Sequence, residues 1–210
     1  DPLRAALWLE RLDNGSLPTN GLGLSFVLRA HARQGDVAAA EAILPRVLAD
    51  AMDADPIDRR PLAAYNSMLR ACGVAGAIEA AERWLGLMTT ETVDPDHVSF
   101  GHLLQACARA ADAPRGERWL NTMVREGIGP SNVEFSTLLH LLARGGDVPR
   151  TEAWLLRMQV AEEEPNTYCH NAMIVVHGRV GDCEAVDAKL AAMSAGEGGA
   201  LPDAASYGSA

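Results

Sequence analysis

The chain has 210 residues, 48% of them hydrophobic, and its 18 basic and 28 acidic side chains leave a net charge of -10. No run of about 18 apolar residues occurs, so no helical membrane span is expected. At face value the acidity speaks against a nucleic-acid binder, because such proteins usually neutralise phosphates with a basic surface.

In chain order, the sequence falls into repeats. Trp84, Trp119 and Trp154 are 35 residues apart; so are Met88, Met123, Met158 and Met193, as well as Pro95, Pro130 and Pro165. Tyr65, Phe100 and Phe135 keep the same step, which continues at His170. A fixed period of this size marks stacked supersecondary units. Residues 1–20 hold Trp8 and Leu12 in phase with the Trp and Met columns, and read as the second helix of a repeat whose first helix precedes the sequence. The chain is therefore expected to be a segment of a longer array. Residues 21–61 form an irregular repeat, with six surplus residues in the Pro-containing stretch DAMDADPIDRRP, where a longer loop is expected.

Residues 62–96, 97–131, 132–166 and 167–203 are the regular repeats, and 204–210 begin another. Each opens with apolar residues at i, i+3, i+4 and i+7, as in Phe100, Leu103, Leu104 and Cys107. That spacing predicts an amphipathic helix with one buried stripe. Glycines such as Gly76, Gly146 and Gly181 end it. A second helical pattern follows, for example Ile78, Ala81, Trp84, Leu85 and Met88, before a proline closes the repeat. The last repeat is longer by two residues, absorbed in the GEGG run at 196–199, and carries Lys189 where the others have Trp.

Charge is segregated by helix. The first-helix windows 24–35, 65–76, 100–111, 135–146 and 170–181 contain no Asp or Glu among 60 residues, whereas an even spread of the acids would put eight there. They contain six arginines: Arg29, Arg33, Arg70, Arg109, Arg144 and Arg179. Burial of these helices would exclude arginine as well as acids. The pattern is what a groove that tracks phosphates needs. The alternative at this level is that these arginines pair with Glu82, Glu117 or Glu152 of neighbouring second helices.

Nothing points to catalysis. Cys72, Cys107, Cys169 and Cys183 form no C-x-x-C pair and no zinc-like spacing, and Cys72 and Cys107 share one phase, as small core residues would. The six histidines supply no H-E-x-x-H, and Gly21-Leu-Gly23 lacks the third glycine of a nucleotide loop. No enzyme activity, metal or cofactor is expected. The Trp column, four residues before the Met column, is expected to pack between repeats rather than to stack on a ligand.

Among two-helix repeats, the tetratricopeptide repeat places its Trp in the first helix, whereas this chain places it in the second. The segments AYNSMLRACGVAGAIEAAERWLGLM, VREGIGPS and HNAMI instead resemble the pentatricopeptide repeat, with its aromatic-Asn start, central Ala-Gly, terminal Met and Gly-Ile-x-Pro close. The departures are Leu24 and His170 at the aromatic position and Gly101 at the position after it. The resemblance implies an all-α, right-handed α-solenoid that binds single-stranded RNA, one base per repeat, in organellar RNA metabolism in a chloroplast or mitochondrion. It implies base-reading pairs Asn66 with Asp96, Gly101 with Ser131, Ser136 with Asn166, and Asn171 with Asp203, giving a core U-N-A-U. It also puts Arg33, Arg109, Arg144 and Arg179 against the RNA backbone. The same residues have a plainer reading as helix caps and turns. The rival class is a protein-binding scaffold within a larger complex, which the net acidity, Gly101 and Pro61 favour.

Overall fold

The computed structural model describes residues 21–52, 60–196 and 201–208. All eleven elements among them are helices: α1 Gly21–Gln34, α2 Val37–Met52, α3 Arg60–Ala75, α4 Ile78–Thr90, α5 His97–Ala110, α6 Ala113–Arg125, α7 Asn132–Gly145, α8 Val148–Val160, α9 Thr167–Val180, α10 Cys183–Ser194 and α11 Ala204–Gly208. They form two compact units that meet in sequence at Ala110 and Ala111. The helix expected around Trp8 and most of the GEGG run lie outside the described residues, as does the middle of the loop expected over residues 50–61; the two ends of that stretch are helical, residues 50–52 in α2 and 60–61 in α3.

Local chemistry sets the helix ends. An Asp column with the same 35-residue step starts the second helices: Asp112, Asp147 and Asp182 accept the N–H of Arg115, Arg150 and Ala185. Each oxygen satisfies a donor the helix itself cannot. Pro114 and Pro149 follow in the first turn, where a missing N–H costs nothing. At the other end, Gly146 and Gly181 close α7 and α9 in the left-handed conformation. Gly76 needs its glycine for two reasons: its φ is +74°, and a Cβ there would lie 3.2 Å from Cβ of Arg109.

In the N-terminal unit the first helices α1, α3 and α5 pack side by side, with α2 against α1 and α3, and α4 against α3 and α5. The C-terminal unit repeats the plan: α7 packs on α9, α8 touches both, α6 packs on α7, and α10 and α11 pack on α9. Each unit is thus built from the paired helices of an α-solenoid. The predicted stripes form its core: Leu103, Leu104, Leu138 and Leu139 are buried, as are Met88, Met123, Met158 and Met193. Cys72, Cys107 and Cys169 are buried too, while Cys183 is exposed. No described helix is long and apolar enough to cross a membrane.

The Trp column packs as expected and does more. Trp84 meets Tyr65, and Trp154 meets Phe135, each at 6.4 Å between ring centres in a tilted arrangement. Each indole N–H also donates to a glutamate of the preceding second helix, Trp84 to Glu41 at 3.0 Å and Trp154 to Glu117 at 2.8 Å. Arg150 holds Glu117 through two further bonds. The second helices are therefore tied by polar clamps centred on Glu41 and Glu117.

Candidate nucleic-acid interface

All six first-helix arginines are exposed, so these helices have a solvent face from which acids are missing. Burial does not account for the missing acids, because that face would accept them. Glu117 bonds Arg150 and Trp154, and Glu152 lies 3.9 Å from His177. Of the acids in the alternative pairing with the first-helix arginines, Glu117 is thus taken up by Arg150 and Trp154 of the next second helix. Within the N-terminal unit, Arg109 sits against Gly76 at the end of the neighbouring first helix. Within the C-terminal unit, Arg144 and Arg179 line one cleft of about 280 Å³ together with Arg150 and Asp147. Arg33 is exposed in the last turn of α1.

The candidate reading positions sort into two kinds. Asn66 Nδ2 donates to Asp96 Oδ1 at 3.1 Å, and Asn171 Nδ2 donates to Asp203 Oδ1, also at 3.1 Å. Each pair joins the first helix of one repeat to the cap of the next. Asp96 and Asp203 also cap α5 and α11, accepting the N–H of Ser99 and Ser206, so capping and pairing coexist in one carboxylate. Burial pushes the Asp96 carboxyl up, but hydrogen bonds from the Ser99 and Val98 N–H groups and from Asn66 outweigh it and hold it below its ordinary value. The Ser206 N–H and Asn171 do the same for Asp203.

Ser136 and Asn166 are not joined in this way. Ser136 donates back to the Val133 carbonyl at 3.0 Å, while Asn166 caps α9 through the Cys169 N–H. Gly101 has no side chain to offer. Ser131 is held in a capping box with Glu134, whose carboxylate takes both the Ser131 N–H and its hydroxyl. For Ser131 and Asn166 the cap reading describes the geometry.

One set of residues escaped sequence reasoning. Val98, Val133 and Tyr168 are 50%, 65% and 56% exposed, lie 35 residues apart, and each precedes by three residues the positions of Gly101, Ser136 and Asn171. Residues three apart on a helix share a face. Within each unit an exposed apolar side chain thus stands beside a candidate reading position. The common spacing of these residues was the available signal.

Paired helices repeated at a fixed step, with exposed arginines and no exposed acid in the first-helix windows, define a helical-repeat protein. The pentatricopeptide repeat domain model matches residues 47–110 and 118–179, more than half of the chain, and the chain belongs to that family. The crystal structure of the pentatricopeptide repeat protein PPR10 from maize is similar at a TM-score of 0.70 and 26% identity, over 97% of this chain and 28% of that one. The structure of PPR10 in complex with an 18-nt psaJ RNA element matches with the same TM-score and coverage at 25% identity. The pentatricopeptide domain of Arabidopsis thaliana protein-only RNase P 1, in complex with tRNA, shares the fold at a TM-score of 0.59 and 19% identity, over 80% of this chain and 86% of that one. This chain therefore spans less than a third of the PPR10 structure. No curated protein matches the sequence.

Proposed function

We propose that this chain binds single-stranded RNA along its first helices, one base to each repeat, as part of an organellar protein that handles RNA processing, stability or translation. The observation that carries the reading is the same Asn–Asp bridge at two reading positions, 66 with 96 and 171 with 203, on helices that expose six arginines and no acid. The complex of PPR10 with its RNA element supports it. In this reading a splayed base hydrogen-bonds to the carboxamide of Asn66 or Asn171 and lies against the exposed apolar side chains beside those positions. Ser136 with Asn166 and Gly101 with Ser131 complete the four sites, and the expected core is U-N-A-U.

Arg33, Arg109, Arg144 and Arg179 face the phosphates. Four contacts give a shallow electrostatic dependence, with a log–log salt slope of about -3. Fluorescence anisotropy tests the reading with short RNAs carrying the U-N-A-U core, a scrambled RNA and a DNA of the same sequence at two salt concentrations. The matched RNA should bind tightest, and replacing Arg109, Arg144 and Arg179 together by Glu should abolish binding with helicity and melting nearly unchanged. Failure of every RNA to bind at low salt sinks the reading and favours a protein scaffold.

A further inference from the structure

We propose that Ser99 and Ser206 are specificity-positioning residues: each fixes the carboxamide of the reading asparagine in the preceding repeat, so that it accepts uracil and rejects cytosine. The inference deepens the RNA-reading assignment and rests on it. Ser99 Oγ donates to Asn66 Oδ1 at 2.6 Å, and Ser206 Oγ donates to Asn171 Oδ1 at 2.7 Å. Both serines are fully buried. Each hydroxyl also accepts the N–H of its own cap, Asp96 at 3.2 Å and Asp203 at 3.0 Å. A hydroxyl has one proton to give. The aspartate oxygen already receives two N–H groups, so the proton goes to the asparagine oxygen at the shorter distance.

The arrangement decides which way the amide faces. A carboxylate only accepts, so the amide nitrogen must face the aspartate. The serine proton then claims the amide oxygen. With one N–H and one oxygen lone pair spent on protein, the carboxamide keeps one N–H and one lone pair for a base, in a fixed order. Uracil presents a carbonyl acceptor beside an N–H donor, and cytosine presents an amino donor beside a ring acceptor. The two rings have the same size, so only the order of donor and acceptor separates them, and turning the amide over exchanges the two preferences.

The column itself supports this role. Its members are Ser99, Glu134, Cys169 and Ser206, and the reading residues one repeat earlier are Asn66, Gly101, Ser136 and Asn171. A hydroxyl stands only where an asparagine needs orienting. Elsewhere the position does other things: Glu134 belongs to the capping box of Ser131, and Cys169 Sγ lies 3.7 Å from Met158 Sδ. A capping function alone would not track the residue in the previous repeat.

The test is anisotropy with U-N-A-U RNAs whose first or fourth base is changed from U to C, read as the ratio of the two affinities. Ser99→Ala should cut the U-over-C ratio at the first base about fivefold, the worth of one neutral hydrogen bond, and leave the ratio at the fourth base untouched. Ser206→Ala should do the reverse, and Ser99→Thr should keep the parent ratio. Equal weakening toward U and C in Ser99→Ala, with both ratios kept, overturns the proposal and leaves the serine a cap. The side-chain amide signal of Asn66 in the RNA-free protein, assigned with Asn66→Ala, separates this failure from that of the RNA reading. If no RNA binds the parent protein, the RNA reading falls and takes the specificity role with it. If the signal is the same in parent and Ser99→Ala, the hydroxyl does not hold the amide, whatever binds.

Discussion

In the repeat of residues 132–166, Phe135 meets Trp154, whose indole is 5% exposed and bonded to Glu117, and a capping box starts α7. In the repeat of residues 167–203, the same two positions hold His170 and Lys189. His170 is buried with neither ring nitrogen bonded, and burial, with the charge of Lys189 second, pushes its pKa down. Burial also lowers the pKa of Lys189. The reading positions are ranked the other way. Ser136 is turned back onto its own helix, whereas Asn171 stands in a complete bridge with Asp203 and Ser206. The well-packed repeat has the unassembled reading pair, and the poorly packed repeat has the assembled one. Packing between helices and the proposed presentation toward RNA involve different residues of the repeat, so each can vary without carrying the other with it.

The largest test of this separation is Trp154→Ala. It removes a buried ring, its contact with Phe135 and a partner of Glu117, and should cost about 3–5 kcal/mol in urea unfolding. Lys189→Ala, at the equivalent position one repeat later, should cost less than about 1 kcal/mol. Equal losses at the two positions would mean that the repeats are packed alike and the comparison fails.

A smaller change should bring the weaker repeat closer to the stronger. His170→Phe removes two buried nitrogens without partners and restores an aromatic, which should stabilise the protein by about 1 kcal/mol at neutral pH. The pH dependence has a definite sign. A histidine whose folded pKa is depressed takes up its proton more readily when unfolded. Its contribution is therefore complete above the ordinary value of 6.5 and is lost as pH falls through that value toward the lower folded one. The parent should lose stability between neutral and mildly acidic pH, and His170→Phe should lose less. An unchanged slope in the variant would assign the acid sensitivity to the other histidines.

Much of the packing was legible in the sequence, because a packing position must be filled the same way in every repeat and so repeats visibly. The Met column, the helix pairs and the glycine ends follow from that. The bond from Trp154 to Glu117 was not legible, since it depends on the register between two second helices and no local pattern encodes it. Asn66 with Asp96 was legible as a phase. The hydroxyl of Ser99 was not, because a serine three residues after an aspartate reads first as a helix start. Ser136 looks equivalent to Asn66 in sequence, yet its short hydroxyl reaches the Val133 carbonyl on its own helix in place of the next repeat. Val98, Val133 and Tyr168 were overlooked for the opposite reason, since apolar residues in an amphipathic pattern are taken for core.

The smallest expected effect separates the two faces within the single repeat 167–203. Asp203 is held below its ordinary value of 3.8 by the Ser206 N–H first, then Asn171. A carboxylate with a depressed folded pKa keeps its contribution above the unfolded value and loses it as pH falls through the folded one. The bridge to Asn171 should therefore survive as pH falls through 6.5, where the unfolded chain takes up the His170 proton. Asp96, also held low, should behave the same way. Between neutral pH and about pH 5, above the ordinary aspartate range, the melting temperature should fall while the U-over-C ratio at the first and fourth bases stays level. A ratio that declined in step with melting would tie the reading pairs to the packing of His170 and remove the separation.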